Sequence, residues 1–456
     1  MNEFDLAIVG AGPGGYTAAD VAAKEGLSVV LFERDKLGGT CLNRGCIPTK
    51  ALLHSADAWR TACNSENLGV RIEGASYDFA ALHACKDEVV ENLRDGIVKL
   101  MRAGKVCVVS GSATITGPQT IACDGERYTA LDIIVATGSV PSVPPISGCD
   151  LEGVYTSDDL LEGGGHEFSS LVIIGGGVVG VELAGFYASL GCTVTILEAL
   201  DHLLPSMDRE IAQRLGVSFK AQGVTSVCKA TVASIEREAD ELMRVSYVDK
   251  KGVTHEVQAE GVLVATGRRA NTLGLFDDSC DCVPAMERGA LVADDDGHTS
   301  VEHLYVIGDA RAHTTQLAHM AEAQAKNTIA AIVGKPAPVD LSVVPSCVYT
   351  SPEIASVGLT EADAKAAGLR VRCVKSLAGA NGKCLIEGCT SGYIKLVADA
   401  ETGRLLGAQL VYPRATDLVS ELALAISQGL TVSDVASVIH PHPTFSEGIL
   451  SAAELF

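Results

Sequence analysis

One pattern occurs twice in this chain, and the repeat restricts the fold more than any other feature. Residues 6–9 (Leu-Ala-Ile-Val) form a short apolar run that ends in Gly10-Ala11-Gly12-Pro13-Gly14-Gly15. An Ala-rich helical stretch follows to about Glu25, and a second apolar run, residues 28–32, closes on Glu33. The same order returns at residues 171–174, Gly175-Gly176-Gly177-Val178-Val179-Gly180, a helix to about Leu190, and residues 193–197 closing on Glu198. In both copies the acid stands 23 residues after the first glycine. Strand, glycine turn, helix, strand and acid make a βαβ unit: the first glycine forms the tight turn, the second lets backbone approach a pyrophosphate, and the third lets helix and strand pack closely. The helix N-terminus faces the phosphates, and the acid can accept hydrogen bonds from ribose hydroxyls. A lone G-x-G-x-x-G is weak evidence, but flanking strands and an acid in register make it strong. Two such units imply two dinucleotides.

Residues 171–191 carry one charge, Glu182, in a span nearly long enough to cross a bilayer. The glycine interruptions, within a repeat of a soluble unit, argue against that reading. At 456 residues the chain has room for roughly three domains, and 47% hydrophobic content supplies their cores. A net charge of −22 argues against nucleic-acid or anionic-membrane partners, which need a basic surface. The N-terminus, residues 1–5, is acidic and runs straight into a strand, with neither a secretory nor a transit signal. Fifteen cysteines, an odd number at irregular spacings, do not make an oxidised secreted scaffold and place the chain in a reducing cytoplasm.

Behind each unit, residues 133–138 and 262–267 are a second echo, each an apolar strand ending in Ala-Thr-Gly. An ordinary strand-to-turn exit explains either one alone; a close approach of backbone to a dinucleotide explains both. Pro141, Pro144 and Pro145 read as a linker. Residues 304–309 form a buried strand ending in Gly308-Asp309, followed by a helical pattern over 316–333, and after 334–338 strands alternate with helices at about 360–367 and 417–428. The expected fold is α/β, with two Rossmann-like dinucleotide-binding domains and a C-terminal α+β domain. The expected boundaries are 1–145, 146–270, 271–338 (returning to the first domain) and 339–456.

Cys41 and Cys46 lie in Gly38-Gly39-Thr40-Cys41-Leu42-Asn43-Arg44-Gly45-Cys46-Ile47-Pro48-Thr49-Lys50. In a regular helix, residues five apart rise roughly 7.5 Å, beyond the usual ~4.4–6.8 Å of a disulfide. A bridge here needs a loosened turn, and Pro48, whose ring would strike the carbonyl of Arg44, supplies part of it. Such a bridge is easily reduced and suits redox chemistry better than stapling. The same spacing recurs at Cys384 and Cys389, which read as strand, turn, strand and as buried reduced thiols. Arg44 would bring a cation near both thiols of the first pair and favour thiolate.

The chain closes on Ile439-His440-Pro441-His442-Pro443-Thr444-Phe445-Ser446-Glu447. Isolated histidines are usually core or surface groups. Here prolines fix the backbone and a carboxylate follows, which is what a general acid/base needs. A metal site is the runner-up, but no third or fourth ligand has suitable spacing.

Taken in this order, the motifs resemble the flavoprotein disulfide reductases over essentially the whole chain, and among them the dihydrolipoyl dehydrogenases. The resemblance implies FAD at Gly10, Gly12, Gly14, Gly15, Glu33, Thr40, Cys41, Lys50, Ala113, Thr137, Gly138, Ser139, Asp309, Gln316, Leu317, Ala318 and His319. It implies NAD at Gly175, Gly177, Gly180, Glu182, Glu198, Val232 and Gly267. By the same resemblance Cys41 exchanges with a lipoyl disulfide, Cys46 is the thiolate beside the flavin, and Lys50 and Glu182 form an ion pair near it. His442, oriented by Glu447, would serve the partner subunit's site in a homodimer, and the substrate would be a lipoyl-bearing protein of a 2-oxoacid dehydrogenase or glycine-cleavage complex. Alternatives are a related NAD(P)H-dependent reductase of low-molecular-weight disulfides, or a non-catalytic flavin-binding scaffold. Glu198 would repel a 2′-phosphate, and the tail lacks the second cysteine pair of a mercuric reductase.

Overall fold

The computed structural model describes residues 2–456. Its first sheet has a core of five parallel strands in the order Cys107–Ser110, Val29–Glu33, Asn2–Val9, Glu126–Val135, Leu304–Val306. The hairpin Ala113–Gly117 and Thr120–Cys123 adds to the first half of Glu126–Val135, whose second half pairs with Leu304–Val306. The second sheet is built the same way, in the order Thr225–Cys228, Thr193–Glu198, Ser170–Ile174, Gly261–Val264, Val154–Thr156. Both faces of these strands are covered: Leu6 to Val9 and Leu171 to Ile174 are all buried. That is why their sequences are unbroken apolar runs rather than alternating ones.

The helix Pro13–Lys24 turns Gly14, Gly15, Ala18, Ala19 and Ala22 inward, small residues that let it lie close to the helix Ala318–Ile332. The helix Val178–Ser189 is nearly apolar all round, as an enclosed helix must be. The candidate span 171–191 is therefore a strand and a helix with the glycine turn between them, and no described helix is long and apolar enough to cross a membrane. A three-stranded antiparallel sheet, Thr231–Arg237, Met243–Val248 and Thr254–Ala259, covers one side of the second unit.

The proline-rich linker is more ordered than expected. Ser139–Pro141 pairs antiparallel with Arg268–Ala270, so the two Thr-Gly exits are bonded into one two-stranded crossing. The C-terminal part is a five-stranded antiparallel sheet, Ser346–Val348, Ile354–Gly358, Leu405–Val411, Tyr393–Asp399, Val371–Leu377, with the helices Ala415–Ser427 and Glu447–Ala453 packed on it. The helix Glu361–Ala366 starts at Thr360, whose side chain and that of Asp363 form a reciprocal capping box. The fold is thus α/β with two Rossmann-like units and a C-terminal α+β unit.

The segment around Cys384 is not a strand. Gly382–Ile386 is helical because the Asn381 side chain caps the Cys384 amide at 3.0 Å, which local alternation of apolar residues does not reveal. Cys384 is buried, but Cys389 is exposed, contrary to expectation.

Candidate active site

Each glycine turn is held against the Thr-Gly exit behind it. Gly10 has φ +104°, and a Cβ there would lie 2.4 Å from the Ala136 carbonyl oxygen; Gly175 has φ +113°, and its Cβ would lie 2.3 Å from that of Ala265. The second echo in the sequence is therefore the surface on which each turn rests. Gly15 and Gly180 sit directly on the carbonyls of Gly10 and Gly175. Gly177 faces open space, and beside Gly12 a Cβ would approach only Gly39 Cα, at 3.9 Å. Both second positions therefore leave room for a phosphate to approach backbone. Gly14 also packs the helix, because a Cβ there would press on Ile307 and Ala321.

The two acids hold their own turns. Glu33 Oε2 accepts from the Ala11 amide at 2.8 Å, and Glu198 Oε2 from the Gly176 amide at 2.6 Å. Their other oxygens accept from Asp35 and Leu200 amides at 3.0 and 2.7 Å. Burial raises the Glu33 pKa. Each carboxylate keeps lone pairs for a ribose, but positioning the glycine loop is a use the sequence pattern did not disclose.

At the first unit's exit, Ser139 donates to Asp309 at 2.6 Å, and Arg268 donates to the hydroxyl and carbonyl of Ser139 at 2.8 Å each. Burial raises the Asp309 pKa. Asn271 donates to the Thr137 carbonyl at 3.1 Å, while the Thr137 hydroxyl is buried without a partner. An orphaned hydroxyl next to Gly138, between the Gly10 turn and the Ser139–Asp309 bond, fits a polar ligand laid across this turn. Arg268 and Asn271 were not singled out from sequence; the one available signal was their place beside the second Thr-Gly exit. Ala113 begins the hairpin strand that follows Gly111, whose amide bonds the Glu33 carbonyl. Leu317 precedes the helix on which Ala318 and His319 begin, Gln316 is exposed just before it, and His319 bonds the Pro345 carbonyl at 2.9 Å. Val232 is a buried core side chain of the three-stranded sheet, so any ligand contact there is left to its backbone. Gly267, at φ +119°, opens onto unfilled space.

The thiols stand on two helices broken at Gly45. Thr40 and Cys41 lie on Gly39–Arg44, and Cys46 starts Cys46–Cys63. The break differs from the expected one. Pro48 sits in the first turn of the second helix, where amides have no helical partner. Gly45 has φ −141° and ψ −113°, and a Cβ there would lie 2.9 Å from the Thr40 carbonyl oxygen. Asn43, also missed in sequence, is buried and donates to the carbonyls of Leu37 and Gly39 at 3.1 and 2.9 Å, locking the loop beneath the thiols.

Cys41 and Cys46 are free thiols on either side of the Gly45 break. Interaction with Cys41 lowers the Cys46 pKa to about 7, against the opposing effect of burial and with further help from Lys50; interaction with Cys46, and then burial, push Cys41 up. Cys46 is nonetheless exposed at the surface of the chain. Lys50 Nζ meets Glu182 Oε2 at 2.7 Å, and Glu182 Oε1 accepts from the Tyr349 amide at 2.9 Å. The ammonium also lies 4.7 Å from the Tyr349 ring centre. Burial, the largest single effect, lowers the Lys50 pKa, but the charge and hydrogen bond of Glu182, with Cys46 and Tyr349, together outweigh it and the net shift is upward. One residue from each of the chain's three parts meets here.

Arg44 does not serve the thiols. Its guanidinium pairs with Asp35 and, at 3.4 Å, with Glu162, and it lines an acidic cavity of about 670 Å³ that neither thiol reaches. The cation beside Cys46 is Lys50.

In the C-terminal tail the two histidines separate. The His440 side chain is 4% exposed, bonded to Glu421 at 3.1 Å and to the Val438 carbonyl at 2.9 Å. His442 is 79% exposed, its Nδ1 2.8 Å from Glu447 Oε1. Glu447 Oε2 accepts from the Thr444 amide at 2.8 Å, and this bond, then the one to His442, lowers the Glu447 pKa. Nε2 is left free to meet something outside the chain. No group of three or more possible metal ligands occurs among the described residues.

Residues 4–325 match the family model for pyridine nucleotide-disulphide oxidoreductase, and residues 344–453 the model for its dimerisation domain. The chain belongs to the pyridine nucleotide-disulphide oxidoreductase family. Relatives include the dihydrolipoyl dehydrogenases of Bacillus subtilis (39% identical, 99% of this chain and 97% of the relative) and Thermus scotoductus (40%, 100% and 97%). Among solved structures, the HOCl-induced flavoprotein disulfide reductase RclA from Escherichia coli superposes with a TM-score of 0.88 at 29% identity over 99% of each chain. In this family member, the surface carrying His442 thus lies in the dimerisation domain.

Proposed function

We propose that the chain is a dihydrolipoyl dehydrogenase, oxidising a protein-bound dihydrolipoyl group and reducing NAD. One observation carries the reading: two free thiols, Cys41 and Cys46, flank the Gly45 break beside the Lys50–Glu182 ion pair, where both dinucleotide units and the C-terminal unit meet, and Cys46 is the one shifted toward thiolate. FAD and NAD are its cofactors, FAD across Gly12, Glu33, Thr137–Ser139 and Asp309, NAD across Gly177 and Glu198. FAD, when bound, carries two electrons between dithiol and nicotinamide.

With Cys41 and Cys46 oxidised to a disulfide, a lipoyl thiolate attacks Cys41 Sγ. The Cys41–Cys46 bond breaks, a lipoyl–Cys41 bond forms, and Cys46 leaves as the thiolate that its lowered pKa favours. The second lipoyl thiol then loses its proton, attacks the first lipoyl sulfur, closes the lipoyl disulfide and releases Cys41. Both protons need a base, and His442 from a second copy of the chain, oriented by Glu447, has the free nitrogen to take them. Lys50 compensates the Cys46 charge. The partners are accordingly a second copy of this chain and a lipoyl-bearing protein of a multienzyme complex.

The likeness to RclA favours a second reading, reduction of a small disulfide. Steady-state turnover of dihydrolipoamide with NAD or NADP, against that of oxidised glutathione with NADH or NADPH, decides between them. Dihydrolipoamide with NAD should dominate; greater turnover of oxidised glutathione with NADPH would replace the first reading with the second.

A further inference from the structure

A second pair of thiols lies outside this site. Cys280 Sγ and Cys282 Sγ are 2.6 Å apart, inside any non-bonded sulfur contact and close to the ~2.05 Å of a disulfide. They differ in access. Cys280 is half-buried, whereas Cys282 is 5% exposed and packs in the core of the first unit with Ile115, Leu275 and Leu291. Backbone bonds hold the loop in place: the Asp277 amide donates to the Ile115 carbonyl and the Cys280 amide to the Asp277 carbonyl, each at 2.9 Å. Burial, and then the contact with Cys280, raises Cys282 to about 12, which makes it a poor first nucleophile. The same loop begins at Asn271, which bonds the Thr137 and Gly138 carbonyls of the proposed flavin turn.

We propose that Cys280 and Cys282 form a second oxidisable dithiol, which reacts with low-molecular-weight disulfides and closes on itself. The Cys280 thiolate attacks one sulfur of the small disulfide, forming a mixed disulfide and expelling one small thiolate. Cys282 then loses its proton and attacks Cys280 Sγ, forming the Cys280–Cys282 bond and expelling the second. The two cysteines are oxidised, and the small disulfide is reduced to two thiols. A bond across three residues removes little chain entropy from the unfolded state, so its use is as a reversible modification rather than a staple. The sulfurs already touch, so closing the bond needs little rearrangement of the loop.

The test uses the FAD-loaded protein carrying Cys41→Ser and Cys46→Ser, which removes the first dithiol from the reading. After incubation with oxidised glutathione, alkylation in denaturant and trypsin digestion, both thiols fall in the peptide spanning residues 270–288. That peptide should escape alkylation and be lighter by two hydrogens. With Cys282→Ser added, Cys280 should instead accumulate as the glutathione adduct; with Cys280→Ser added, Cys282 should stay reduced. Full alkylation of both cysteines in the intact pair, or a Cys282 adduct in the Cys280→Ser protein, would overturn the proposal.

Discussion

Lys50 Nζ lies 2.7 Å from Glu182 Oε2, and this pair ties the thiol-bearing helix to the helix of the second dinucleotide unit. The Glu182 side chain is 3% exposed, so removing its partner leaves a buried charge. Lys50→Met should cost about 3–5 kcal/mol, read as a fall in the denaturant midpoint. Adding Glu182→Gln should recover much of that loss by removing the stranded charge.

The pH dependence of Cys46 follows from its lowered pKa. With a value of about 7, the thiolate survives to lower pH than an ordinary thiol, and its reactivity is lost as pH falls through about 7. In the reduced protein, the iodoacetamide alkylation rate of Cys46 should rise with a midpoint near there. Lys50→Met should move the midpoint upward, because the lysine charge helps lower it. Arg44→Val should leave it in place, since that guanidinium is engaged by Asp35 and Glu162. An equal upward shift with Arg44→Val would restore the role expected from sequence.

The two thiols should fail differently. Cys41→Ser should abolish dihydrolipoamide turnover yet keep a long-wavelength thiolate-to-flavin absorbance, whereas Cys46→Ser should lose both. Cys384→Ser and Cys389→Ser should leave turnover nearly intact, and a large loss from either would indicate the wrong pair.

Removing a general base typically loses about 10²–10⁴-fold in rate, and His442→Gln should fall in that range with dihydrolipoamide. Glu447→Gln should lose less, because the imidazole remains. NADH-driven reduction of a one-electron acceptor should survive in both. Heterodimers of Cys41→Ser and His442→Gln chains should regain activity, since one composite site receives both intact groups; verified heterodimers without recovery would contradict the cross-subunit arrangement.

Substituting Gly175 strikes only one nucleotide. Its positive φ and the 2.3 Å approach of a Cβ to the Ala265 carbonyl leave no room for a methyl group, so Gly175→Ala should force the turn open. NADH-dependent flavin reduction should fall steeply while FAD, measured by absorbance after gel filtration, is retained. Gly10→Ala should lose FAD itself.

Local chemistry made much of this protein legible in its sequence. Period, glycine spacing and a terminal acid specify a βαβ unit without help from distant residues, so both units and the order of the motifs could be read along the chain. The members of the thiol pair and of the His442–Glu447 pair each lie five positions apart, and proximity in the chain made them visible. Tertiary structure decided the rest, where the deciding partner lies in another element or the deciding factor is a backbone conformation that residue types do not state. Gly10 needs Ala136 and Gly175 needs Ala265, contacts that exist only once each sheet closes. Arg44 follows the carboxylates of Asp35 and Glu162 rather than the thiols beside it, since an ion pair goes to the charge that packing brings near. Glu182, read as a nucleotide-site residue and ion-pair partner, also fixes the Tyr349 amide, 167 residues away. The break between the thiols falls at Gly45 and not Pro48, because the Thr40 carbonyl crowds that position and the first turn of a helix tolerates proline.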